Sequence, residues 1–181
     1  MSEPARAHPF DQLQELARRC AEAGQALGAD AGARVVETGL LAFRVCDRYF
    51  MAALGDVGEI VPVPPLTRVP GVRSWLLGIA NLRGTILTVV DLNDFISDQP
   101  TVRTRSCGVL VVTGGGWRYG LLVDEVIGMR HPNQAAASVP GDLPAELRPY
   151  VSGSFTSDGR EWLLFRFAGI LDNERFLDAA L

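Results

Sequence analysis

The chain has 181 residues, 48% of them hydrophobic, with seventeen Lys or Arg against twenty-one Asp or Glu and a formal net charge of −4. That apolar content builds one domain or two small lobes and excludes a disordered tail, and the negative balance offers no general attraction to a phosphate backbone or an anionic membrane. No apolar run approaches the roughly 20 residues that span a bilayer, and the start Met1-Ser2-Glu3-Pro4-Ala5 lacks the basic-then-apolar pattern of a signal peptide, so a cytoplasmic protein is expected.

Residues 1–33 read as an extension. Phe10, Leu13, Leu16, Ala17 and Cys20 have helical spacing, and Asp11 with Gln14 forms a capping box, so an amphipathic helix is expected from Phe10 to Leu27. Gly28 to Ala33 is small and without apolar period, which predicts a linker. The domain expected over 34–181 follows, and its β-like pattern begins at Leu40. Leu41, Phe43 and Val45 alternate with Ala42 and Arg44, an Asp47-Arg48 turn follows, and Tyr49 to Leu54 returns as the second arm of a hairpin. Val57 to Val61 is a further strand. Pro62, Pro64, Pro65 and Pro70 mark a loop. Ile79 to Val90 is a second hairpin around Asn81-Leu82-Arg83-Gly84, where Gly84 can take the positive φ of a tight reversal. Leu92 to Ile96 closes this half as a short helical turn that Asp91 is suited to cap.

The second half repeats the order. Val109 to Thr113, a Gly114-Gly115-Gly116 turn and Trp117 to Val123 form a hairpin, and Glu125 to Met129 is the next strand. A loop carries Pro132, Pro140, Pro144 and Pro149; Val151 to Phe155 and Glu161 to Phe167 pair around Ser157-Asp158-Gly159, and Ala168 to Leu171 closes the unit. Hairpin, strand, proline loop, hairpin and helical turn, twice over, predicts a duplicated small barrel, the first over about 38–97 and the second over about 104–171, with a short C-terminal helix over about 172–181.

These residues offer little from which to assemble catalytic or metal chemistry, and no cofactor or metal is expected. His8 and His131 have no His, Cys, Asp or Glu at ligand spacing. A hydrolase using His131 is therefore a distant alternative. Cys20, Cys46 and Cys107 are odd in number and widely separated, which indicates neither a disulfide framework nor a zinc site. Asp124 and Glu125, as neighbours on one strand, should face opposite ways and so cannot serve one substrate. Trp75, Trp117 and Trp162 fall in separate hairpins with no interleaved basic cluster; core or lobe packing is expected of them, and a nucleic-acid-binding small barrel is unsupported by charge.

The stretch from Gly78 through Asn81-Leu82-Arg83-Gly84 to Asp91-Leu92, with Tyr49-Phe50-Met51 and Val57-Gly58-Glu59-Ile60 upstream and Gly120-Leu121-Leu122-Val123-Asp124-Glu125-Val126 downstream, resembles the CheW-like family of bacterial chemosensory coupling proteins. The likeness runs from about Leu40 to Leu171, with Thr88 standing where many relatives carry proline. The resemblance implies two five-stranded SH3-like barrels side by side. It also implies a non-enzymatic adaptor between the cytoplasmic tip of a methyl-accepting chemoreceptor and the regulatory domain of a CheA-type histidine kinase, working at membrane-associated receptor arrays. Carried over residue by residue, it assigns receptor contacts to Val57, Gly78, Asn81, Arg83, Gly84, Val123 and Val126, and kinase contacts to Glu59, Ile60 and Ile86. Pro70 to Trp75, the N-terminal extension and Phe176 to Leu181 look like the branch that controls type IV pili and twitching motility, with flagellar chemotaxis as the alternative.

Overall fold

The computed structural model describes residues 39–131, 136 and 138–180. The expected N-terminal helix and linker lie outside them. The described residues form ten strands interspersed with short helical turns: β1 (Leu40–Val45), β2 (Arg48–Ala53), β3 (Glu59–Val61), β4 (Leu76–Leu82), β5 (Thr85–Asp91), α1 (Leu92–Ser97), β6 (Gly108–Gly114), β7 (Trp117–Val123), β8 (Glu125–Arg130), β9 (Val151–Ser157), β10 (Arg160–Phe165), α2 (Ala168–Leu171) and α3 (Glu174–Leu177). They form two five-stranded sheets, ordered β8-β1-β2-β10-β9 and β3-β6-β7-β5-β4.

Neither sheet is made from one half of the sequence, so the sheets do not follow the expected boundaries at about 97 and 104. The leading hairpin of each half, β1-β2 or β6-β7, joins the three trailing strands of the other half. The exchange is symmetric. β1 pairs antiparallel with β8 as β6 does with β3, and β2 lies parallel to β10 as β7 does to β5. Sequence alternation identifies hairpins because their pairing is local; the parallel neighbours are chosen by long-range packing that leaves no mark on either strand alone.

Burial explains why the exchange is stable. The largest apolar cluster lies between the sheets and takes Leu41, Phe43, Val45 and Phe50 from the first and Val90, Leu110, Val112, Leu121 and Val123 from the second. Smaller clusters occupy the other faces: Leu40, Ala42, Met51, Phe155, Trp162 and Leu164 in the first sheet, and Ala80, Leu87, Val89, Val109, Val111 and Leu122 in the second. β1 is thus covered on both faces. At about 1.5–3 kcal/mol per fully buried large apolar side chain, parting the sheets costs far more than any surface contact supplies.

Two local devices fix the geometry. Asp91 caps α1, accepting from Asn93 N at 3.1 Å and Asp94 N at 3.2 Å, and also receives Thr101 N at 2.9 Å and Thr101 Oγ1 at 2.7 Å, so one buried carboxylate ties the helix to the loop leading to β6. At Asp124 the chain crosses from one sheet to the other. Asp124 and Glu125 therefore do not diverge as neighbours on one strand: β7 ends at Val123, β8 begins at Glu125, and both carboxylates reach Arg44, at 3.7 and 3.4 Å. Burial pushes the Asp124 carboxyl up, with Arg44 opposing.

Candidate functional site

The Asn81–Gly84 turn is built from its side chains and backbone together. Arg83 and Gly84 both have positive φ, 51° and 84°, the pattern of a type I′ hairpin, and Asn81 Oδ1 accepts from Gly84 N at 2.7 Å to hold it. Gly78 serves a different purpose. At φ 139° it lies where a Cβ would come within 2.3 Å of Thr67 O, so only glycine lets the loop backbone pair with Ile79 along the edge of β4. Gly78 is buried and serves the contact between this loop and β4 without forming part of a surface.

The turn displays Arg83, whose side chain is 80% exposed and pairs with Glu59 of β3, Nη2 to Oε1 at 2.8 Å. Arg118 of β7 approaches the other Glu59 oxygen at 4.0 Å. The resemblance assigned Arg83 and Glu59 to different partners, and the structure joins them in one ion cluster at the end of the second sheet. Glu59, with its side chain 23% exposed between two guanidinium groups, positions Arg83.

The other expected contact residues divide by burial. Val57 and Val123 belong to the core between the sheets, so their side chains are buried and not exposed to a partner. Val126 is half-buried against the same core. Ile60 and Ile86 are exposed, Ile86 at 69%.

Trp117 corrects the expectation of core packing. Trp75 and Trp162 are buried, but Trp117 is 71% exposed. It follows the Gly115-Gly116 reversal, where the hairpin tip stands clear of the core. The parallel register that sets Thr88 beside Tyr119 carries Ile86 and Trp117 to the same face, one step nearer the strand starts. A large aromatic exposed at a hairpin tip on the same face as an exposed isoleucine is a candidate binding anchor, tryptophan being enriched among the residues that dominate interfaces, and the signal in sequence was its place directly after three glycines.

His131 is exposed, and among the described residues no Ser, Cys, Asp or Glu side chain hydrogen-bonds to it, nor does any group of three or more His, Cys, Asp or Glu come together to hold a metal. Cys46 is pushed up to about 11 by burial, which keeps its thiol protonated and unreactive near neutral pH. No helix among the described residues is long and apolar enough to cross a membrane.

Two exchanged sheets with a rigid shared core, carrying a fixed arginine turn and an exposed apolar face, define a scaffold for protein docking. The chain belongs to the CheW-like domain family, whose model matches residues 39–179. It is 34% identical over 174 residues to the protein PilI of Pseudomonas aeruginosa, covering 96% of this chain and 97% of PilI. That match extends through most of the N-terminal segment as well. It is 30% identical over 140 residues to the chemotaxis protein CheW of Rhizobium meliloti, covering 75% of this chain and 88% of that one. The fold matches the crystal structure of the scaffolding protein TtCheW from Thermoanaerobacter tengcongensis with a TM-score of 0.63 at 22% identity, over 71% of this chain and 88% of that chain.

Proposed function

We propose that the chain is a non-enzymatic adaptor that couples a chemoreceptor to a CheA-type histidine kinase in the system controlling type IV pili. Family membership supports the coupling role, and the full-length similarity to PilI, N-terminal segment included, supports the pilus branch. The observation that carries the reading is the Glu59–Arg83 arrangement: an arginine side chain displayed largely exposed by a hairpin turn and paired at 2.8 Å with a half-buried glutamate from a separate strand.

In this reading residues 1–33 are an accessory extension and residues 34–181 the coupling module. Arg83, Asn81 and Gly84 meet the receptor tip, with Gly78, Val57, Val123 and Val126 shaping the surface beneath them. Ile60 and Ile86, together with Trp117, meet the kinase's regulatory domain, and Glu59 links the two surfaces through its ion pairs. The phosphotransfer chemistry belongs to the kinase. A receptor signal reaches it only if the complex binds differently in two signalling states. The protein acts in the cytoplasm and is recruited to membrane-associated receptor arrays through these contacts.

Calorimetric titration of the full chain with a receptor-tip fragment and, separately, with the kinase regulatory domain tests the assignment. Saturable binding to each, with receptor binding weakened by Arg83→Ala and kinase binding by Ile86→Asp, supports it. Binding to neither removes it.

A further inference from the structure

The loop between β3 and β4 builds a second feature at the opposite end of β4 from the Arg83 turn, about 20 Å away for six residues of extended chain. It is a groove of about 480 Å³. Leu66, Leu76 and Leu77 are half-buried and contribute apolar floor, while Arg68, Arg73 and Arg103 lie exposed around it, and no acidic side chain is among its lining residues. None of these three guanidinium groups is engaged in an ion pair or side-chain hydrogen bond with another described residue. In a chain of net charge −4, three such arginines on one rim are a concentrated local reversal of sign.

The walls are already in place. Thr67 pairs with Ile79, donating and accepting backbone hydrogen bonds at 2.8 and 2.9 Å. Val72 bridges to Ala180, with Arg73 N donating to Ala179 O at 3.0 Å. The loop is thereby tied to β4 on one side and to the C-terminal segment on the other, so an incoming ligand meets a shaped surface at little ordering cost.

We infer that this groove docks an extended acidic peptide segment of a protein partner, with carboxylates on the arginine rim and an apolar side chain on the leucine floor. Arginine forks pair bidentately with carboxylates, and the floor supplies the desolvated contact that charge alone lacks. A nucleic acid fits less well. The groove has no aromatic side chain on which a base could stack, and the chain's overall charge opposes a long phosphate backbone. The site is separate from the receptor and kinase surfaces and stands whether or not that reading holds.

Fluorescence anisotropy of the full chain with a labelled Glu-Leu-Asp-Glu-Leu-Asp peptide tests it. The expected result is saturable binding that weakens at least tenfold in the Arg73→Glu/Arg103→Glu variant and at least threefold when both leucines of the peptide are replaced by serine. Arg103→Ala, from a separate loop, gives a second readout of the same loss should the double variant melt early. Absence of binding, equal binding by the variants, equal binding of the serine peptide, or tighter binding of a single-stranded oligonucleotide of matched charge overturns the proposal.

Discussion

Removing the Arg83 guanidinium separates what the turn does for the fold from what it does for recognition. Arg83→Ala keeps a Cβ at φ 51°, so the backbone strain of the turn is unchanged, and Asn81 still holds Gly84 N. The lost interaction is the 2.8 Å pair with Glu59, made by a side chain that is 80% exposed. Pairs this open contribute about 0–1 kcal/mol, and Arg118 remains near the abandoned carboxylate. A melting temperature no more than about 2–4 °C lower is expected for a domain of this size. Receptor affinity should respond much more. A displayed arginine at the centre of an interface is expected to contribute about 2 kcal/mol, some thirtyfold in Kd. Parallel calorimetric titration against a receptor-tip fragment and thermal denaturation give both numbers. A folded variant whose receptor affinity changes by less than threefold would refute the recognition role, and a melting temperature lowered by more than about 10 °C would show that the pair is structural. Because Glu59 fixes Arg83, Glu59→Lys should impair kinase binding most and also weaken receptor binding, by less than Arg83→Ala does; receptor affinity untouched by the reversal would mean that Arg83 needs no positioning.

Trp117→Ala should lower affinity for the kinase regulatory domain about tenfold while leaving the melting temperature within a few degrees, since the ring packs little in the free protein; unchanged affinity on titration would leave the exposed aromatic without a role. Gly78→Ala should destabilise by about 3 kcal/mol, because its Cβ meets Thr67 O at 2.3 Å and its φ is 139°, and chemical denaturation reads the loss directly; a wild-type midpoint would show that the loop gives way freely. Deleting residues 1–33 should leave the two sheets folded and the melting temperature within a few degrees, whereas an insoluble or molten product would place Phe10, Leu13 and Leu16 in the structural core.

Elements were legible wherever the signal was local. The alternation of Leu41, Phe43 and Val45, the glycines of the hairpin turns and the capping position of Asp91 each act within a few residues, and the structure follows them. The hairpin exchange was not legible, because it depends on which surfaces bury one another across the molecule. Asp124 and Glu125 misled for a related reason: a corner between sheets looks like a continuous strand when only period-2 patterning is read, and the common partner, Arg44, is remote in sequence from both. At the candidate site, the motif marked the tight turn that Arg83 and Gly84 make but not which of its residues shape backbone and which are displayed. Gly78 and Asn81 shape backbone, Val57 and Val123 lie under the surface, and the partner of Arg83 was Glu59, a residue that resemblance had placed on another interface. Trp117 was hidden by the general tendency of tryptophan to be buried, which a glycine-rich hairpin tip overrides.

The claim that this chain bridges two proteins is tested most directly by co-sedimentation of the kinase with liposomes bearing the receptor's cytoplasmic fragment, with and without the full chain. The account predicts that the kinase pellets only when the chain is present, and that Arg83→Ala in the chain releases chain and kinase together. Kinase that pellets equally without the chain, or a chain that remains in the supernatant with both partners supplied, would contradict it.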